Sequence, residues 1–153
     1  MYYVETGKIS VKNMKKRLKI GVLKMDINIG GINIGKLIKL KVNNVTNMDG
    51  MFSKAHKFNK PLSNWNVRNV THMREMFFAA SVFNQSLNDW DVSSVINMKR
   101  MFKNAKSFNQ SLNNWNVNNV RHAKEIFKGA ESFNQQLEDW IVSNEIRKEI
   151  RNR

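Results

Sequence analysis

At 153 residues, with 41% apolar and 10% aromatic content, the chain has the length of one ordinary domain and enough apolar side chain for a packed core, which excludes a disordered chain. It carries 26 Lys and Arg against 12 Asp and Glu, a formal charge of +14, so anionic partners such as nucleic acid, acidic protein or lipid headgroups come into consideration. There is no cysteine, which excludes disulfides and thiolate metal sites.

The charge is uneven. Residues 1–40 carry nine basic and two acidic groups, residues 41–143 thirteen and eight, and the last ten four and two. Abundant Asn, Lys and Ile also fit an AT-rich coding sequence, which would make part of the charge compositional. In residues 1–36, Tyr2, Tyr3, Val4, Ile9 and Val11 point to a short strand or two, KNMKKRLK to a helical turn, and Gly30, Gly31 and Gly35 to turns. The scattered charges leave no apolar run of a signal peptide, and no stretch reaches the roughly 20 apolar residues of a membrane span. The expected location is therefore intracellular or virion-associated. Residues 1–36 are expected to form an N-terminal cap.

From about Leu37 the chain repeats every 25 residues. Val45, Val70, Val95 and Val120 form one column, and Phe52, Phe77, Phe102 and Phe127 another. Further columns hold Ala (55, 80, 105, 130), Phe (58, 83, 108, 133), Asn (59, 84, 109, 134), Leu (62, 87, 112, 137), Trp (65, 90, 115, 140) and Val (67, 92, 117, 142). Leu37, Leu40 and Val42 continue three of these columns as a degenerate half-repeat. A fixed period of this length is the signature of stacked repeats.

Within a unit, L-x-x-W-x-V places Trp and Val two apart, on one side of a short strand. V-x-x-M-x-x-M-F-x-x-A, as in Val70, Met73, Met76, Phe77 and Ala80, has the three-and-four spacing of a helix stripe, with Asn44, Asn69, Ser94 and Asn119 as N-caps. The expected fold class is an α/β solenoid of short parallel strands and short helices, with a repeat region 37–143. A capping helix is expected over 144–153, from Ile146 and Ile150 four apart. The Asn column is expected to bond peptide groups at the coil corners.

The pattern VTxMxxMFxxAxxFNQxLxxWxVxxV, clearest from Val70 to Val120, resembles the BspA-like leucine-rich repeat family in its Mycoplasma-lipoprotein-type 25-residue form. The resemblance covers about Leu37 to Val142. It implies a leucine-rich-repeat-like solenoid used for binding or adhesion, in a family found among bacterial surface proteins, protists and large DNA viruses. The last unit departs from the pattern, with Ala123 and Ile126 in place of both methionines and Arg121 in place of Thr.

No catalytic, metal or cofactor site is expected. His72 and His122 share a column but lie two coils apart, about 10 Å by strand spacing, and His56 stands alone. The sequence leaves two surfaces. The outward strand face carries Asn64, Asn66, Asp89, Asp91, Asn114 and Asn116, polar and weakly acidic, suited to hydrogen-bonded recognition of a protein or glycan, a protein partner being the expected one. The outward helix face carries Arg74, Lys99, Arg100, Lys103, Lys124 and Lys128. With Lys12, Lys15, Lys16, Arg17 and Lys19 near the N-terminus, it could take nucleic acid or another polyanion. A third reading is a structural component that self-associates through its ends.

Overall fold

The computed structural model describes residues 4–5, 8–9, 42–43 and 45–151. Near the N-terminus β1 (Val4–Glu5) and β2 (Lys8–Ile9) pair antiparallel, with Val4 opposite Ile9 and Glu5 opposite Lys8. The helical turn, the glycine-marked turns, Leu37, Leu40 and the N-cap at Asn44 lie outside the described residues.

From Val45 onward, successive 25-residue units lie one on the next in register. Parallel bridges join Asn47 to His72, His72 to Asn97 and Asn97 to His122. Beyond each bridge, alternate backbone N–H groups donate to the following coil: Met48 to His72 O and Gly50 to Arg74 O, both 2.8 Å, then Phe52 to Met76 O at 2.8 Å and Lys54 to Phe78 O at 2.6 Å. The intervening N–H groups turn back on their own coil, Met51 donating to Met48 O (3.2 Å) and Ser53 to Gly50 O (3.1 Å). The next two coils repeat both patterns.

This backbone is neither the strand nor the helix expected for each unit. Where the methionine stripe predicts helix there are overlapping turns. The reason is visible in the dihedrals. Gly50, Glu75, Arg100 and Glu125, one column, all have φ between 55° and 63°, and Lys54, Ala79, Asn104 and Gly129 have φ between 53° and 73°. Two left-handed residues per unit cannot sit in a right-handed helix. The i to i−3 turns nonetheless bring Met73, Met76, Phe77 and Ala80 inward at a spacing that imitates a helical stripe. Six of these eight positions carry a side chain, each at a cost of about 1 kcal/mol, offset by the inter-coil bonds that the geometry aims. At Gly129 an added Cβ would run into Asn104 Oδ1.

Where L-x-x-W-x-V predicts strand, Trp65 N–H donates to Leu62 O (3.0 Å) and Val70 N–H to Val67 O (2.8 Å), again as turns. Trp90 and Val92 do point inward and Asp91 outward, so the alternation is real although the strand is not. With no helix to cap, Asn119 Nδ2 donates instead to Ser93 O of the preceding coil, at 2.7 Å.

The columns build the core. Phe52, Phe77, Phe102 and Phe127 stack with centroids 5.4, 5.5 and 5.7 Å apart. Phe58, Phe83, Phe108 and Phe133 form a second stack at 5.8 to 6.1 Å. Within each coil the two rings lie 4.0 to 4.2 Å apart. Met48, Met51, Met73, Met76, Met98 and Met101 are all buried beside them, as flexible thioethers that fill gaps between rings. Each tryptophan from Trp90 on also ties two coils: Trp90 Nε1 donates to Leu62 O (3.0 Å), Trp115 to Leu87 O (2.8 Å) and Trp140 to Leu112 O (3.1 Å).

The Asn column supplies a second tie. Asn59 Oδ1 accepts from Asn84 N–H (2.9 Å) and Gln85 Nε2 (3.0 Å) of the next coil. Asn84 Oδ1 does the same for Asn109 and Gln110, and Asn109 Oδ1 for Asn134 and Gln135.

The last coil is closed by α1 (Asn144–Arg151), which buries Ile146 and Ile150. Ser143 Oγ accepts from Ile146 N–H at 3.3 Å, a serine N-cap. Glu149 Oε2 accepts the Ala123 N–H (3.0 Å), which in earlier coils goes to the next coil's carbonyl. Arg147 Nη2 donates to Trp140 O at 2.7 Å.

Candidate functional site

The turns at Leu62–Trp65 and Val67–Val70, repeated coil by coil, throw the residues between the buried columns outward. Asn64, Asn66, Asp89, Asp91, Asn114 and Asn116 are accordingly exposed, all on one side of the stack. They are not equally free. In the Asn66, Asp91 and Asn116 column the side-chain oxygen accepts the N–H two residues on: Arg68 at 3.3 Å, Ser93 at 3.1 Å and Asn118 at 3.2 Å. Such Asx turns fix the χ angles of those side chains before any partner arrives. Asp91 also accepts from Ser93 Oγ at 2.6 Å. The hydroxyl and then the amide of Ser93, with Arg68 adding a smaller attraction, hold its carboxyl below the usual range.

Between the second and third coils this surface sinks into an open cleft of about 360 Å³, lined by Asn88, Asp89, Trp90, Asp91, Val92, Asn114 and Asn116. It brings together four of the six residues that the sequence singles out. Asn64 and Asn66 lie outside it, one coil earlier. Sequence reasoning passes over Asn88, whose Oδ1 accepts the Asn114 N–H at 3.1 Å and so joins the cleft's two walls. Its column holds Ser63, Asn113 and Glu138, and that variability next to an invariant Leu column is the signal that could have found it.

Four of the six basic residues singled out on the methionine-bearing segment share two carboxylates, so the group keeps a net positive charge. Glu125 Oε2 lies 2.8 Å from Arg100 Nε and 2.7 Å from Lys103 Nζ, and its Oε1 lies 3.7 Å from Lys128. Glu75 Oε1 lies 3.4 Å from Arg74 and 3.6 Å from Arg100. Lys99 and Lys124 make no ion pair among the described residues. The remaining basic candidates, Lys12, Lys15, Lys16, Arg17 and Lys19, lie outside the described residues.

The hydrogen bond from Lys103, then that from Arg100, brings the Glu125 carboxyl down to about 2 from an ordinary 4.5. A carboxyl depressed in the fold contributes stability above its unfolded value, and that contribution is lost as pH falls from about 4.5 towards 2. Glu125→Gln is therefore expected to lower the urea midpoint at neutral pH, with the gap to the parent closing over that window. A gap that stays constant to pH 2 would remove Glu125 as the titrating anchor.

His72 and His122 sit in the bridging column with Asn97 between them, and His72 Nδ1 lies 2.9 Å from Thr71 Oγ1. Among the described residues no group of three or more His, Asp or Glu could hold a metal ion, and no helix is long and apolar enough to cross a membrane.

Comparison with curated proteins and with solved structures gives no match. A family model described as "Mycoplasma protein of unknown function, DUF285" matches residues 23–144, which take in all four coils and the preceding 22 residues. Since this match spans well over half of the chain and the repeat lies inside it, the chain belongs to the DUF285 family.

Proposed function

We propose that this chain is a non-catalytic scaffold for a protein partner, a leucine-rich-repeat-like solenoid of the BspA-like group, which binds through the face carrying Asn64, Asn66, Asp89, Asp91, Asn114 and Asn116. The observation that carries the reading is the cleft, where carboxylates and amides from two coils converge around a floor of Trp90 and Val92. Amides and carboxylates pre-set by Asx turns favour hydrogen-bonded recognition, because little side-chain entropy remains to be lost on binding. The BspA-like reading rests on the 25-residue column pattern.

The test is affinity capture from the native organism at low and high salt, with the parent chain and the triple variant Asp89→Arg, Asp91→Arg, Asn116→Arg. A partner held by the parent at both salts and lost by the variant is expected, the amide spectrum showing the fold intact. Undiminished capture by the variant would overturn this site. The second reading, a polyanion binder, is favoured by the +14 charge and by Lys99 and Lys124. It requires retention that falls steeply with salt.

A further inference from the structure

We propose that the C-terminal edge of the stack, at Glu125, Phe127 and Gly129, takes an acidic peptide segment as one further rung. In each interior coil this row of N–H groups is what holds the next coil. Arg100 N–H donates to Lys124 O at 3.0 Å, Phe102 to Ile126 O at 2.9 Å and Asn104 to Lys128 O at 2.8 Å. In the last coil the corresponding N–H groups of Glu125, Phe127 and Gly129 make no hydrogen bond among the described residues. They stand two residues apart with the same left-handed dihedrals at Glu125 (59°) and Gly129 (73°) as the interior coils, so the row keeps the geometry that receives carbonyls. An unpaired ladder edge is a template for strand-like addition.

What this edge attracts is shown by its first member. Ala123 N–H, at the start of the row, is already taken by the Glu149 carboxylate of α1, a negatively charged oxygen standing in for a coil's carbonyl. The side chains flanking the open part have the matching sign. Lys124 and Lys128 are both exposed, Lys124 without a carboxylate partner among the described residues and Lys128 only 3.7 Å from Glu125 at best. Glu125 itself is turned to Arg100 and Lys103 of the preceding coil, so its charge is spent there. In this register residues of one column are neighbours across coils. A segment running parallel to the last coil would therefore place two acidic side chains, four residues apart, beside Lys124 and Lys128; Ile126 and Phe127 are already buried, so small residues suit the places beside them.

The probe is a capped peptide, Glu-Gly-Ala-Ala-Glu-Gly-Ala, which complements the row's charges, keeps small residues beside the buried Ile126 and Phe127, and supplies glycine at its left-handed positions. It is titrated into the isotopically labelled full chain while backbone amides are followed. The amides of Glu125, Phe127 and Gly129 should shift together and exchange with solvent more slowly. Lys124→Glu with Lys128→Glu should weaken binding about tenfold. A peptide with lysine for both glutamates should bind no better than that variant does. Three outcomes would each overturn the proposal: no shift up to millimolar peptide, shifts confined to the Asp89 cleft, or binding indifferent to the charge reversal. Because the readout is local to the edge, its failure is distinct from failure of the cleft reading.

Discussion

Phe102→Ala is expected to cost about 3–5 kcal/mol, a large part of the roughly 5–15 kcal/mol that holds a domain of this size. Phe102 is fully buried at the centre of the stack, with Phe77 at 5.5 Å, Phe127 at 5.7 Å, Phe108 at 4.1 Å and Trp115 at 6.3 Å between ring centroids. Removing the ring leaves a cavity that neighbouring coils cannot close without breaking the backbone ladder, since Phe102 N–H is itself bonded to Ile126 O. The effect should not stay within one coil. A stacked repeat is stabilised mainly by interfaces between neighbours, and this ring belongs to two of them. Urea unfolding should give the loss, and amide exchange should show weakened protection in the second and fourth coils as well as the third. A loss below about 1 kcal/mol, or one confined to the third coil, would mean that the aromatic ladders do not carry the stack.

The inward side of the repeat is legible in the sequence because burial repeats with the unit. Any residue that faces the core in Val70–Asn84 has counterparts 25 residues away facing the same core, so the Val, Met, Phe, Ala, Leu and Trp columns announce themselves. Backbone geometry is not legible in the same way. A turn every two or three residues and a helix both bring residues inward at three-and-four spacing. What separates them here is a left-handed column occupied by Gly50, Glu75, Arg100 and Glu125, of which only one is a glycine. The ladder expected along L-x-x-W-x-V lies instead along the Met–Phe segment, because its hydrogen bonds use main-chain groups that leave no trace in side-chain type. Residues 144–151 are where a helical pattern and a helix coincide, Ile146 and Ile150 lying on one buried side of α1. The outward residues of the candidate cleft follow from alternation around Trp90. The joining role of Asn88 and the neutralising role of Glu125 do not, since each acts on a residue about a coil away.

Asn84→Ala is expected to cost about 2–3 kcal/mol, whereas Asn84→Asp should restore most of the loss at neutral pH. Asn84 Oδ1 receives two donors from the next coil, Asn109 N–H at 3.0 Å and Gln110 Nε2 at 2.9 Å. Alanine strands both in a half-buried corner, and an unmet donor there loses more than a bond is worth on average. Aspartate keeps an oxygen at that place and lacks only the Nδ2 donors, for which no acceptor is seen among the described residues. The cycle with Gln110→Ala apportions the two contacts. If both donors depend on the same oxygen, Asn84→Ala should cost less in the Gln110→Ala background than in the parent, by about 0.5–1 kcal/mol. Equal costs in the two backgrounds, or an aspartate variant no better than alanine, would show that the amide acts through its nitrogen. The Asn column would then hold its own corner, and the grip of each coil on the next would rest on the main-chain row and the tryptophan N–H groups alone.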